Sequence, residues 1–92
     1  YSKLDDNNYV FEGKTNLKQF YRAIKIDGSN FEDNKGEADT LAGFILELSG
    51  KMPVKNQKVA FENFVFEIES VDKRRIKRVK VTKHEEHFDE AE

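Results

Sequence analysis

The sequence predicts a single α+β domain in which two helices pack on a small, mainly antiparallel sheet. Two segments carry apolar residues at helical spacing, and the stretch from residue 58 onward has strand character. A chain of 92 residues is long enough for one small domain and too short for two. Hydrophobic residues make up 37% of the chain and charged residues another 37%, with eight Phe. This composition is typical of a few aromatic anchors inside a charged shell.

The first strand is expected at residues 9–13 (YVFEG), which have strand character and end at a glycine. Residues 1–8 (YSKLDDNN) are polar and rich in turn-forming residues, so we expect a flexible lead-in there. The chain opens on Tyr1 rather than Met, which favours a piece of a longer protein.

The first helix follows, with Thr15 or Asn16 as its N-cap. Its apolar face has the spacing i, i+3, i+4, i+7 and consists of Leu17, Phe20, Tyr21 and Ile24. Residues 27–39 are then small, polar and acidic around a single large apolar residue, Phe31. We expect a solvated connector that Phe31 pins to the core, with an exposed part that could contact a partner.

The second helix repeats the same spacing at Leu41, Phe44, Ile45 and Leu48. Asp39 or Thr40 can cap its start, Gly50 can end it in a left-handed conformation, and Pro53 prevents its continuation. A glycine inside a helix is unfavourable, so Gly43 indicates that a neighbouring backbone packs closely there.

Three antiparallel strands are expected to complete the domain. Glu62 and Asn63 can form a two-residue turn, with Asn tolerating a positive φ, which would place Phe61 opposite Phe64 and Val59 opposite Phe66. In the last strand Val79 and Val81 alternate with charged residues, but Ile76 has the wrong parity. We therefore expect a bulge or the strand start between Ile76 and Val79.

The sequence contains no arrangement that would support catalysis or a built metal site. It has no Cys, which excludes disulfides and thiolate ligands, and it lacks the GxxxxGK[ST] phosphate loop. His84 and His87 could make a metal-binding face on a helix, but residues 84–92 (HEEHFDEAE) are strongly acidic and predict a disordered tail. We expect no enzyme activity, no metal site and no cofactor evident from the residues themselves.

A cluster of cations near the C-terminus is the strongest candidate for an interaction surface. It comprises Lys73, Arg74, Arg75, Lys77, Arg78, Lys80 and Lys83. Aromatic residues for base stacking are missing between them, and the net charge is −2, so nucleic acid is not the expected partner. Two interpretations remain: contact with anionic lipid or an acidic partner, and the charged solvent face of an edge strand. The residues favoured for contact are Arg74, Arg75, Lys77, Arg78 and Lys80.

Residues 39–81 resemble the C-terminal CorC/HlyC transporter-associated domain. The matching features are an acidic residue followed by Thr, a short apolar helix with an internal Gly, the pattern Gly-x-x-Pro, and a closing RI-x-x-V-x-V. They lie at Asp39, Thr40, Leu41, Gly43, Gly50, Pro53, Phe66, Arg75, Ile76, Val79 and Val81. With FEGKTNLKQF added, the resemblance covers residues 9–83. Where the family has Gly shortly after the Pro, this chain has Asn56 and Gln57, and Asn can adopt the same left-handed backbone.

The resemblance implies a parent protein with a bacterial membrane domain and a pair of cystathionine-β-synthase (CBS) modules. Such proteins are similar to magnesium and cobalt efflux proteins and hemolysin-like proteins, and the gliding-motility-associated branch has a similar charged, Phe-rich character. The domain would lie at the cytoplasmic face of the bacterial inner membrane as a non-catalytic accessory domain. Its partners would be the neighbouring CBS and membrane domains and an anionic membrane surface.

The same resemblance leaves a second hypothesis open. The family's fold is grouped with a subdomain of flavin-binding oxidases, which implies FAD as a possible cofactor. The alternative is therefore a sensor that binds FAD or an adenine nucleotide in a groove between the helices and the sheet. No residue of the sequence supports such a site by its own pattern.

Overall fold

The computed structural model describes residues 1–84 and shows an α+β fold with one five-stranded sheet. Its elements are β1 (Ser2–Asp5), β2 (Asn8–Glu12), α1 (Leu17–Ile24), α2 (Ser29–Asn34), α3 (Leu41–Ser49), β3 (Lys58–Phe61), β4 (Phe64–Asp72) and β5 (Arg75–Lys83). The strands are antiparallel and lie in the order β1-β2-β5-β4-β3. The predicted tail and His87 lie outside the described residues, apart from His84.

Strand β5 occupies the centre of the sheet, where it pairs with β2 on one side and β4 on the other. Its residues Ile76, Val79 and Val81 are buried against the helices. The interpretation of the basic cluster as the face of an edge strand is therefore wrong. Charged side chains are tolerated here because an antiparallel sheet can keep one of its faces in solvent.

Residues 2–5, expected within a flexible lead-in, instead form the edge strand β1. Within the polar run that indicated a loop, only residues 6–7 are a turn, and this turn joins β1 to β2 in a hairpin. The Asp5 carboxylate accepts hydrogen bonds from the Asn7 backbone N–H (2.8 Å) and the Asn8 side-chain amide (3.0 Å). These two donors lower the pKa of Asp5, because they favour its charged form.

Helix α1 buries the predicted face, since all four residues of that face are less than 10% exposed. Asn16 is the N-cap, and its side chain accepts a hydrogen bond from the Lys18 N–H at 2.8 Å. The helix ends at Lys25, which has a left-handed conformation.

The segment expected as a plain connector contains a third helix, the six-residue α2. Just before α2, the Asp27 carboxylate accepts hydrogen bonds from the backbone N–H and the hydroxyl of Ser29, the first residue of the helix. These hydrogen bonds start the helical turn, and they lower the pKa of Asp27 because they favour its charged form. Phe31 projects from α2 into the core, where it is 2% exposed. The predicted pinning role of Phe31 is confirmed, and the helix forms because it presents this ring inward.

Helix α3 begins at the N-cap Thr40, whose hydroxyl accepts from the Gly43 N–H at 3.1 Å, and ends at Gly50 with φ 76°. Leu41, Phe44 and Ile45 are fully buried. A Cβ on Gly43 would lie 3.1 Å from the Ala38 Cβ and 3.2 Å from the Thr40 hydroxyl oxygen, so the close neighbours at this glycine are side chains rather than the predicted backbone, whose nearest atom is 3.7 Å away.

The two C-terminal hairpins have the predicted pairings, with Phe61 opposite Phe64 and Val59 opposite Phe66. The positive φ in the first turn falls on Glu62 (57°) rather than on Asn63. The expected irregularity between Ile76 and Val79 is present as a register shift, in which Ser70 of β4 pairs with Arg78 of β5. This shift lets both Ile76 and Val79 point into the core despite their odd spacing.

Candidate functional site

The five residues predicted as an interaction surface occupy two places in the fold. Arg74 lies in the turn between β4 and β5, and Arg75, Lys77 and Arg78 lie at the start of β5. All four are exposed. Lys80 lies further along β5, with Val10 of β2 and Glu67 of β4 as its partners in register. The predicted surface is thus a compact group of arginines and one lysine, with Lys80 set apart from it.

The group at the start of β5 lines a cleft of about 360 Å³, which we call the basic cleft. Its walls are Glu12, Lys14, Ser70, Arg75, Ile76, Lys77 and Arg78. Four of these side chains are cationic and one is a carboxylate. The local charge of the cleft is therefore positive although the chain as a whole carries −2.

The backbone around Gly13 brings the two sides of the basic cleft together. The Gly13 N–H donates to the Lys77 carbonyl at 2.9 Å, which extends the β2–β5 pairing by one residue. Its carbonyl accepts from the Ala42 N–H at 2.9 Å, so helix α3 also holds this point. Lys14 follows directly and is placed beside β5.

The register shift between β4 and β5 supplies the other wall. Arg78 pairs with Glu12 of β2 on one side and with Ser70 of β4 on the other. Because the shift falls at this pair, Lys77 and Arg78 are consecutive exposed residues between the buried Ile76 and Val79. A regular strand would have turned one of the two into the core.

Among residues 1–84, Glu12 is the single acidic residue that lines the basic cleft. Its carboxylate lies 3.7 Å from the Lys14 ammonium, and both side chains are largely exposed, at 64% and 85%. An exposed pair of this kind contributes little to stability. Its effect is on the charge of the cleft, where it offsets one of the four cations.

Sequence reasoning missed Lys14 and Glu12 because they lie far along the chain from the basic cluster. The signal that could have found them is the sheet order, which puts the end of β2 beside the start of β5. No local pattern in residues 12–14 predicts that they lie next to the start of β5.

The residues of the family pattern have structural roles: they join helices, form turns and fill the core. The Asp39 carbonyl accepts from the Leu17 N–H (2.8 Å), and the Leu41 N–H donates to the Thr15 carbonyl (2.9 Å), so the starts of α1 and α3 are joined. Pro53 is buried, and Asn56 has a φ of 72°, the left-handed conformation expected in place of the family's glycine. The core positions of the pattern are Leu41, Phe66, Ile76, Val79 and Val81.

The groove between helices and sheet on which a flavin site would depend is filled by aromatic rings. Phe20, Phe44 and Phe66 are fully buried there, and Phe31 packs among them. A shallow hollow of about 490 Å³ lies outside this layer, between α1 and the Tyr1 ring that stacks on Phe11 at 4.9 Å. A dinucleotide also needs backbone donors for its pyrophosphate, and the residues that line the hollow do not fit FAD in that respect.

A partly buried hydrogen bond joins α1 to α2, which lies in the acidic segment 27–39. The Tyr21 hydroxyl donates to the Glu32 carboxylate at 2.7 Å and ties α1 to α2. Burial of the ring, together with this hydrogen bond and the nearby negative charge, raises the pKa of Tyr21 well above its usual value. Within residues 1–84, no group of three or more His, Cys, Asp or Glu could hold a metal ion.

Comparison with known proteins decides the family. The CorC_HlyC family, described as a transporter associated domain, matches residues 2–85. The chain belongs to this family. The match begins within β1, so the family's domain includes the strand that sequence reasoning had left outside.

A solved transporter associated domain of a CBS domain protein from Porphyromonas gingivalis has 34% sequence identity to the chain and a TM-score of 0.80. The alignment covers 89% of this chain and 94% of that one, so the α+β fold agrees over nearly the whole domain. Two curated relatives are larger. A magnesium and cobalt efflux protein CorC from Pasteurella multocida is 26% identical over 90 residues, which are 98% of this chain and 28% of the relative.

A polyamine export protein from Escherichia coli K12 is 29% identical over 79 residues, which are 86% of this chain and 17% of the relative. The transporter-associated domain thus spans between 17% and 28% of the length of these two proteins. Among the described residues, no helix is long and apolar enough to cross a bilayer.

Proposed function

We propose that this transporter-associated domain is a non-catalytic accessory domain of a larger bacterial export protein of the magnesium and cobalt efflux type. It would lie at the cytoplasmic face of the inner membrane and regulate export by docking through the basic cleft. The observation that carries the proposal is the convergence of Lys14, Arg75, Lys77 and Arg78 on one cleft. The efflux and export names of the larger relatives support it.

The charge of the basic cleft suits a docking surface. A cation near an anionic membrane surface contributes roughly 1 kcal/mol of attraction, and such attraction decays within a Debye length of about 8 Å at physiological salt. Four cations at one end of a domain would therefore orient it as well as attract it. The facing surface would be the anionic membrane or an acidic face of the neighbouring CBS modules.

The interior of the domain favours a rigid docking unit. The Phe side chains of α1, α2 and α3 interlock with those of β4, so the helices are fixed to the sheet that carries the cleft. A well-packed core of this kind transmits displacement rather than absorbing it. If docking moved the basic cleft, the whole domain would move with it, and a neighbouring domain in contact with another face of this domain would be displaced.

The alternative of an FAD or adenine-nucleotide sensor is less well supported. Its expected groove is filled by the aromatic core, and the hollow beside Tyr1 is open and lined mainly by α1. The basic cleft, by contrast, presents side chains whose chemistry suits the recognition of anions. Docking is therefore the function that the geometry supports best.

The test uses the full-length parent protein in cells. We would replace Lys14, Arg75, Lys77 and Arg78 with Gln and measure export of Mg²⁺, Co²⁺ and polyamine, with protein levels in the membrane checked. The matched control removes four exposed cations outside the cleft by K18Q, K25Q, K51Q and K55Q. We expect the cleft variant to change export severalfold while the control behaves as the parent. Unchanged export by a cleft variant that reaches the membrane would overturn the proposal.

A further inference from the structure

We propose that the basic cleft is a phosphate-binding site, which takes the phosphate of an anionic phospholipid headgroup or of a soluble phosphate compound. This inference deepens the docking function proposed above and takes its site from it. It adds the chemical identity of the group that enters the cleft. The evidence is the kind of cations present, how the backbone holds them, and the carboxylate placed among them.

The size of the basic cleft is suited to a small anion with an attached group. Small-molecule sites in proteins commonly have volumes of about 300–1,000 Å³. At about 360 Å³ the cleft is near the lower end of that range, which is suitable for a phosphate and a short polar stem. Ile76 is the one apolar residue that the described part of the chain contributes to the lining, and it offers little surface to an apolar ligand.

Two of the four cations are arginines, and this favours phosphate over a simple negative charge. A guanidinium presents planar, paired N–H donors that match two oxygens of a phosphate, whereas an ammonium acts as a point charge. Arg75 and Arg78 come from the same strand on either side of Ile76 and Lys77. Lys14 adds its charge from the end of β2, so the donors approach from two separate segments.

The backbone beneath the arginines is fixed, which lowers the cost of binding. Ile76 is buried in the core at 3% exposure, and the carbonyl of Lys77 accepts the Gly13 N–H. Arg78 lies between β2 and β4, paired with both. Only the side-chain ends need to be ordered by a ligand, so more of the interaction free energy appears as affinity.

Glu12 gives the cations of the basic cleft a carboxylate partner from the chain itself. Its carboxylate lies 3.7 Å from Lys14 and opposite Arg78 in register. A phosphate carries between one and two negative charges near neutral pH and offers more acceptor oxygens than a carboxylate. Phosphate can therefore displace Glu12 as the partner of Lys14 and also engage the arginines, while a monovalent anion such as chloride gains less.

The test uses the 92-residue domain in two arms. The first measures co-sedimentation with vesicles of phosphatidylcholine that contain about 30% phosphatidylglycerol, whose anionic headgroups attract clustered Lys and Arg side chains. The second follows backbone amide shifts by NMR during titration with inorganic phosphate, at constant ionic strength made up with chloride. Binding in the vesicle arm alone identifies a lipid headgroup, and binding in the phosphate arm, with or without vesicles, identifies a soluble phosphate compound as a sufficient ligand.

Three variants make the test specific to the cleft. The double variant R75Q/R78Q removes both arginines, R75K/R78K keeps their charge without the paired donors, and K51Q/K55Q removes the same charge elsewhere. We expect R75Q/R78Q to weaken binding by about 30-fold and R75K/R78K to weaken it by a smaller factor, while K51Q/K55Q binds nearly as the parent. Thermal melts confirm that each variant is folded.

Two results would overturn the proposal. One is a lack of binding in both arms. The other is an equal loss of binding in R75Q/R78Q and K51Q/K55Q, which would show that the domain responds to net charge alone. Because neither arm measures transport, a phosphate site could stand even if the full-length export test failed, and the reverse holds as well.

Discussion

Gly13 lies directly against the backbone of Ile76. A Cβ on Gly13 would fall inside the contact distance of the Ile76 carbonyl oxygen and only 3.2 Å from the Cβ of Ala42. The close approach joins the end of β2 to the start of β5 and places both under the N-terminus of α3. The frame of the basic cleft therefore depends on the absence of one side chain.

Replacing Gly13 with Ala should destabilise the domain by about 1–3 kcal/mol, the usual cost of forcing an extra methyl into a packed site. The neighbours that would have to move are a backbone carbonyl and a helix, neither of which can rotate away. Urea unfolding followed by circular dichroism measures the change. Because the clash borders the cleft, the amide shifts of Lys77 and Arg78 should also move in the NMR spectrum.

Gly50→Ala is the control for G13A, because it should destabilise the domain through backbone strain and not through a steric clash. Gly50 has a φ of 76°, and a Cβ added there would have no neighbour within 4 Å, so its substitution strains only its own backbone. The expected cost is about 1–2 kcal/mol, with no shift at Lys77. If G13A left both stability and the Lys77 amide unchanged, the close packing of β2 on β5 would be contradicted.

Phe31 holds α2 to the rest of the domain. Its ring lies within 6.4 Å, centre to centre, of the rings of Phe20, Tyr21, Phe44, Phe61, Phe64 and Phe66. Phe31→Ala should cost about 3–5 kcal/mol, which is much of the stability of a domain this small. The variant is therefore expected to melt far below the parent in a thermal scan.

A milder pair of variants keeps that prediction measurable if F31A does not fold. Phe31→Leu should cost about 1–2 kcal/mol in urea unfolding. Phe61→Leu, at a half-buried ring that contacts Phe31 at 5.0 Å, should cost less. Equal losses at the two positions would argue against Phe31 as the centre of the aromatic core.

Local patterns predicted those parts of the fold that are stabilised by neighbours in the chain. The faces of α1 and α3 and the Phe61–Phe64 pairing depend on residues a few positions apart, and so do the N-caps, for which the sequence offered two adjacent candidates each and the structure uses Asn16 and Thr40. Helix α2 could not be predicted, because six residues give too little periodicity to distinguish a helix from a loop. Phe31 alone indicated that the segment returned to the core.

The sheet order could not be predicted in the same way. Strand β2 pairs with β5 across most of the length of the chain, and no residue in either strand specifies that partner. The many charges of β5 favoured an edge position, whereas the structure keeps those charges on the open face and at the end of a central strand. Once that order is missed, Lys14 and Glu12 cannot be assigned to the basic cleft.

The hydrogen bond from Tyr21 to Glu32 predicts a pH dependence of stability at alkaline pH. The pKa of Tyr21 is raised in the folded state, while an unfolded Tyr has a pKa of about 10. The folded state thus retains a proton that the unfolded state loses. The stabilising contribution is fully present below about pH 10 and is lost as the pH rises through the folded pKa.

Tyr21→Phe should remove this contribution. In urea unfolding, the difference in free energy between parent and Y21F should be largest at about pH 9 and should shrink as the pH rises above 10, where Tyr begins to ionise when unfolded. Glu32→Gln keeps an acceptor for the hydroxyl but removes the charge, so it should give a shallower dependence than the parent. Parallel curves for parent and Y21F through this window would show that Tyr21 titrates alike in both states.

Glu12 is the residue whose removal should improve anion binding. It offsets one of four cations in the basic cleft and lies 3.7 Å from Lys14. Exposed pairs of this kind contribute about 0.2–1 kcal/mol, so Glu12→Gln should raise the affinity for inorganic phosphate by a factor of about 1.4 to 5. An NMR titration with inorganic phosphate measures the change, and the gain should fall at higher salt because the charges are screened.

Glu37→Gln is the matched control, since it removes an exposed carboxylate outside the basic cleft and changes the net charge equally. Its affinity for phosphate should remain near that of the parent. An equal gain in E12Q and E37Q would mean that phosphate responds to the overall charge of the domain. A gain confined to E12Q would place the anion beside Lys14, the ion-pair partner of Glu12, and near Arg78, its partner in strand register.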